Sequence, residues 1–166
     1  ERVRRAASLL DEPLAHGSDL HALAIAEYAR SWVTVLLSGE GGDETLGGYV
    51  RYLPLRYPGV LKAAQPWLPR LTAALGFEGK LGKLGRYLEM GSLDRLLLFS
   101  GCHAFPRDLR AVGMNPSARF PFRERVLAEA QTVYPREPAR QAMYSDQHTY
   151  LPSLLTRNDR MTMGAS

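Results

Sequence analysis

The sequence predicts an α/β chain, with the edge of a parallel sheet followed by a largely helical segment. Three observations predict it. Residues 33–37, Val-Thr-Val-Leu-Leu, form a short β-branched and leucine run with no polar alternation, which suits a strand covered on both faces. The stretch Ser38-Gly39-Glu40-Gly41-Gly42-Asp43-Glu44 follows directly, at the carboxyl end of that strand, where open sheets bind their ligands. Beyond Pro54 the apolar positions recur with helical spacing.

Each element can be justified in order. An arginine-rich helical stretch opens the chain over residues 1–10. Ser18 or Asp19 can cap a helix over 20–30, whose Ala and Leu content favours helix strongly. Ser31 and Trp32 link it to the strand at 33–37. A second helix is predicted to begin at Asp43, where acidic groups suit the dipole, and to run past Gly47 and Gly48, whose missing side chains let Tyr49 pack close to the sheet or a ligand. Pro54, Pro58, Pro66 and Pro69 then cut the chain into short pieces. Helices are predicted over 71–75, 81–90, 93–99, 123–133 and 139–149, with Gly91, Gly101 and Gly113 marking ends. The domain reading is an α/β edge at 1–53 and a helical part at 54–166, with no internal repeat.

Composition narrows the class. With 166 residues and 45% hydrophobic content, one domain with a modest core is expected. A single cysteine, Cys102, excludes an internal disulfide, and only His103 nearby could activate it. No signal peptide and no membrane-length apolar run are present, so the cytoplasm and no membrane partner are the expectation. The net charge is +4 and the pI about 9.4, but the basic residues are scattered in Arg2-Arg4-Arg5, Lys80-Lys83-Arg86 and Arg119-Arg123-Arg125. Dispersed charge reads as solvated helix faces rather than a nucleic-acid stripe. His16, His21, His103 and His148 are too spread for a metal set. Trp32 and Trp67 read as packing anchors, and Met161 and Met163 as core filling.

The loop carries the chemistry. Two carboxylates about 5 Å apart repel by roughly 3 kcal/mol at an effective dielectric of about 20, so the loop is either open to water or holds a cation such as Mg²⁺ together with phosphates. It lacks the Gly-Lys-Ser/Thr of a phosphate-cradling loop and has no cation of its own, which points it at a metal or an amine. An ordinary acidic turn between strand and helix is the plain alternative.

The string from Leu36 to Tyr49, Leu-Leu-Ser-Gly-Glu-Gly-Gly-Asp-Glu-Thr-Leu-Gly-Gly-Tyr, resembles the signature of the asparagine synthetase (glutamine-hydrolysing) family's ATP-dependent domain. Thr45-Leu46 stands where that family usually has a hydrophobic residue followed by Phe. Two further blocks are similar to the family in the right order: Asp11-Glu12-Pro13 with Gly17-Ser18-Asp19, and Leu151-Pro152-Ser153-Leu154-Leu155-Thr156-Arg157-Asn158-Asp159-Arg160-Met161-Thr162-Met163. Residues 54–150 carry no family signature.

The resemblance implies a fold of the adenine nucleotide α-hydrolase-like (PP-loop) type. It implies a ligase that adenylates a side-chain carboxylate, most commonly that of aspartate, with ATP, and then lets glutamine-derived ammonia displace AMP. By the family pattern Ser38 and Gly39 lie beside ATP and AMP, Glu40 is the catalytic carboxylate that forms or resolves the acyl-adenylate, and Asp43 is a ligand to Mg²⁺. Glu44 is a helix-start residue, and the role of Arg157, Asp159 and Arg160 is open between an ion-pair network and substrate contact. The implied cofactors are ATP and Mg²⁺. The implied partners are aspartate or another carboxylate substrate, ammonia from a glutaminase domain and, for the full-length protein, a second copy of itself. Relatives that close β-lactams, cyclise peptides or amidate exopolysaccharide precursors resemble this loop too, and a noncatalytic scaffold of the same fold is the reading from another class. The family's N-terminal cysteine domain and its Ser-Gly-Gly-x-Asp-Ser pyrophosphate loop are missing from these residues, so the chain is expected to be a fragment, inactive by itself.

Overall fold

A computed structural model describes residues 1–11, 13–14, 16–76, 79–99, 106–115 and 120–165. Glu12, Gly101, Cys102, His103 and Arg119, each singled out above, lie outside the described residues. Every regular element among the described residues is helical. The chain divides into two compact units, residues 1–42 with 150–166, and residues 43–149.

The first unit begins with α1 (Arg2–Leu9) and α2 (Gly17–Ala29). Ala6, Leu10, Leu23, Met161 and Ala165 form its core, closed at the sides by Leu9, Leu14 and Leu20. Arg2 and Arg5 donate to the two oxygens of Glu27, so the arginines of α1 serve partly as a clamp onto α2. The expected cap at Ser18 or Asp19 is not used. The helix starts earlier, with His16 as its N-cap and no side-chain cap bond. Asp19 is instead buried and faces Arg157 at 3.6 Å.

The strand at 33–37 does not form, and with it the parallel sheet and the PP-loop expectation are corrected, because no strand is present among the described residues. The run lies open: Val35 is 73% and Leu37 91% exposed. A strand needs a neighbour to take its N–H and C=O groups, and apolar side chains with two solvent faces gain nothing from the pleat. The apolar run therefore has the composition of a strand without forming one.

The second unit follows the proline pattern. After α3 (Gly42–Leu46), two 3₁₀ turns occupy Val50–Tyr52 and Pro54–Arg56, then α4 (Pro58–Ala64), α5 (Leu68–Ala74), α6 (Gly79–Leu88), α7 (Leu93–Leu98), α8 (Pro106–Ala111), α9 (Pro121–Val133) and α10 (Pro138–Met163), whose residues from Tyr150 onward belong to the first unit. Pro54, Pro58, Pro69 and Pro121 sit at the first positions of their helices, where a missing N–H costs nothing. Ser92 caps α7 by accepting from the Arg95 amide. Tyr52, Leu55, Leu61, Leu88, Leu96, Leu97, Leu127 and Ala142 form the core. Two expectations need correction. Trp67 is 54% exposed and Trp32 in the first unit 75% exposed, so neither anchors a core, and of the two methionines only Met161 is buried, Met163 being 65% exposed. Helix α10 is far longer than expected because Pro152 lies inside it. Thr156 Oγ1 donates to the Pro152 carbonyl. Among the described residues no helix is long and apolar enough to cross a membrane.

Candidate functional site

Within the first unit, residues 33–39 are irregular and Ser38, Gly39 and Glu40 are exposed. Gly39 has open space where a side chain would begin, whereas Gly41 has φ +89° and an added Cβ would meet Leu151 Cδ2 at 3.3 Å. The positive φ is what favours glycine there. Asn158 Nδ2 donates to Glu40 Oε1 at 3.0 Å, so one matched block supplies a side chain to the carboxylate of another. A pocket of about 430 Å³ in the same unit is lined by Leu10, Asp11, Ser153, Thr156, Arg157 and Arg160 among others. Arg160 pairs with Asp11 and holds its carboxyl below the usual range, chiefly through the hydrogen bond and then through charge. Arg157, buried, faces the buried Asp19. The ion-pair reading of Arg157 and Arg160 is therefore present in the structure.

In the second unit, α3 places Asp43 and Glu44 in its first turn, and the two differ sharply. Asp43 is exposed, and no side chain among the described residues bonds its carboxylate. Its backbone carbonyl accepts from the amides of both Gly47 and Gly48 at 3.0 Å, which ends the helix; the expectation that it runs past these glycines is corrected. Gly47 has φ +75°, the left-handed turn that commonly closes a helix. Gly48 serves a different need, since a Cβ there would lie 2.0 Å from Asp43 Oδ1.

Glu44 is completely buried. Tyr49 Oη donates to its Oε1 at 2.7 Å, and Gln147 Nε2 donates to its backbone carbonyl at 2.9 Å. The Arg51 guanidinium lies 3.8 Å from the Tyr49 ring centre and pairs with Asp146 Oδ2 at 2.8 Å, where Tyr52 Oη also donates at 2.6 Å. Burial pulls the Arg51 ionisation down, but Asp146 more than offsets it and the net shift is upward. Burial first, and the bond to Asp146 second, push the Tyr52 phenol up. Glu44 is thus more than the helix-start residue expected. It anchors α3 to a partly buried network of Tyr49, Arg51, Tyr52 and Asp146. Of these, sequence reasoning singled out only Tyr49.

Among the described residues no group of three His, Cys, Asp or Glu side chains is placed to hold a metal. Mg²⁺ does not require such a cage, since it is commonly held by one or two carboxylates and substrate phosphates. The exposed, unclaimed carboxylate of Asp43 fits that mode.

Comparison with known proteins gives the chain a family. The family model for asparagine synthase matches residues 1–166. The chain belongs to the asparagine synthase family. It is 42% identical over 53 residues to a Methanocaldococcus jannaschii protein named "Putative asparagine synthetase (glutamine-hydrolyzing) 2", covering 32% of this chain and 10% of that protein. It is 36% identical over 92 residues to proteins of Mycobacterium bovis and Mycobacterium tuberculosis with the same name lacking the numeral, covering 55% of this chain and 13% of each. The chain therefore spans about an eighth or less of the curated relatives' length. No solved structure gave a significant match.

Proposed function

We propose that the full-length protein is an ATP-dependent carbon–nitrogen ligase that makes an amide from a carboxylate and ammonia, with aspartate as acceptor and glutamine as the ammonia source. The observation that carries this reading is the contrast inside the loop. Glu44 is buried and tied down, while Glu40 and Asp43 are exposed, as a loop that positions acids for an incoming ligand requires. Membership of the asparagine synthase family supports the same class.

In this reading the acceptor carboxylate attacks the α-phosphorus of ATP and pyrophosphate leaves. The amine nitrogen then attacks the acyl carbon and AMP leaves with the bonding pair. Ser38 and Gly39 present backbone to the nucleotide, and the open space at Gly39 leaves room for close approach. Glu40, oriented by Asn158, takes the proton that the attacking amine sheds, a role that suits an ionised carboxylate. Asp43 would hold Mg²⁺, which supplies charge neutralisation for the phosphates when bound.

The test compares Glu40→Gln and Asp43→Asn in the full-length protein. Glu40→Gln is expected to bind ATP nearly normally while ammonia-dependent amide formation falls about 10²–10⁴-fold, the range of positioned acid–base groups. Asp43→Asn is expected to slow ATP–pyrophosphate exchange, because an amide cannot replace a charged oxygen toward a hard cation. Wild-type exchange in Asp43→Asn, or wild-type amide formation in Glu40→Gln, would overturn the respective assignment.

A further inference from the structure

A pocket of about 460 Å³ lies within the second unit and is separate in chemistry from the acidic loop. Its walls carry Arg56, Arg136 and Arg140 against a single acid, Glu137, with Leu46 and Met143 among the apolar lining. Arg56 and Arg136 have no side-chain partner among the described residues. Arg140 engages Glu137 through Nε at 3.1 Å, which leaves its terminal nitrogens available to donate. Arg136 is the one described non-glycine residue at positive φ, +66°, a conformation that costs of order 1–3 kcal/mol and persists only where the surroundings impose it. The first turn of the 26-residue helix α10 lines the same opening and adds the positive end of a helix dipole. Leu46 is 85% exposed, an apolar side chain at the rim with nothing covering it.

We propose that this pocket binds a small phosphate monoester with an apolar body. Two guanidiniums without a side-chain partner among the described residues and a third partly engaged one give a lining with surplus positive charge, and planar forked donors match phosphate oxygens better than point charges do. The volume falls in the range of small-molecule sites, about 300–1,000 Å³. The combination of arginines with Leu46 and Met143 selects for an organic phosphate over the free ion.

Isothermal calorimetry on the protein at low salt tests this with phenyl phosphate, inorganic phosphate and phenol as probes. Phenyl phosphate is expected to bind saturably at one site, more tightly than inorganic phosphate, and phenol is expected not to bind. Arg56→Ala and Arg136→Gly should each weaken phenyl phosphate about tenfold, the scale of one charge-assisted hydrogen bond. Glycine is chosen at 136 because it accepts the positive φ without strain, so the helical circular dichroism should stay at wild type. Leu46→Ser should weaken phenyl phosphate while leaving inorganic phosphate unchanged. Absence of saturable binding, or unchanged affinity in either arginine variant, overturns the site; equal affinity for the two phosphates, with no effect of Leu46→Ser, overturns the apolar half of the assignment.

Discussion

Asp146 has no exposed surface, yet it receives donors from Arg51 and Tyr52 on the same oxygen. Removing one side of a buried pair strands the other, which typically costs about 3–5 kcal/mol. Asp146→Ala is therefore expected to lower the denaturation free energy by about that amount, measured by urea unfolding. The Tyr52 phenol is raised above the ordinary 10.0. Because the folded state holds the proton more tightly, its contribution is complete below pH 10 and declines as pH rises beyond it. Wild type should lose stability as pH rises above about 10, and Tyr52→Phe should flatten that decline while costing about 1.5–3 kcal/mol at neutral pH for one hydrogen bond lost to the Asp146 carboxylate. An identical alkaline slope in the two proteins would refute the assignment. The loop that carries Glu40 and Asp43 stood out in the sequence because glycines and acids cluster locally there. Asp146 and Asn158 were not, since they bond to positions 94 and 118 residues away, and such separations leave no periodic trace.

At the scale of the element, α3 is only five residues long and owes its shape to two glycines with different duties. Gly48 lacks a positive φ, so alanine suits its backbone, but the new Cβ would occupy the place of Asp43 Oδ1. Gly48→Ala in the full-length protein is expected to push the Asp43 carboxylate aside and reproduce the exchange defect of Asp43→Asn, with its melting temperature close to wild type. Normal pyrophosphate exchange in Gly48→Ala would show that the placement of Asp43 is not needed. The helices expected over 71–75, 81–90, 93–99 and 123–133 lie within a few residues of α5, α6, α7 and α9, because apolar spacing and glycine stops such as Gly91 are local signals, whereas α4 (Pro58–Ala64) and α8 (Pro106–Ala111) were not anticipated. Two elements misled for physical reasons. The last helix was expected only over 139–149, but it continues through Pro152, because a long helix tolerates the loss of one i to i−4 bond when its other turns are held. The run at 33–37 has strand composition, but composition cannot supply the neighbouring strand.

For the molecule as a whole, the first unit is discontinuous: its core joins Ala6, Leu10 and Leu23 to Met161 and Ala165 from the other end of the chain. Arg5 and Arg30 add donors to the carbonyls of Gly164 and Ala165, and Gly164 leaves no room for a side chain beside Leu9. Met161→Ala should cost about 2–5 kcal/mol, the usual loss for a fully buried methionine. Ending the chain at residue 149 should unfold α1 and α2 together, read as a fall in helical circular dichroism larger than the deleted turns explain. Retained helicity in α1 and α2 would show that they hold without the distant segment. The loop closure this requires is long, and its entropy has to be met before the core rewards it.

The open run at 33–37 also bears on how the protein behaves in concentrated solution. Five uncharged residues, three of them β-branched and none proline, present Val33, Val35, Leu36 and Leu37 to water without a gatekeeping charge among them. That is the composition of a segment that templates intermolecular strands. Light scattering should grow with protein concentration and time. Val35→Lys with Leu37→Lys should suppress it without changing the helical content, whereas unchanged scattering would place the self-association elsewhere on the surface.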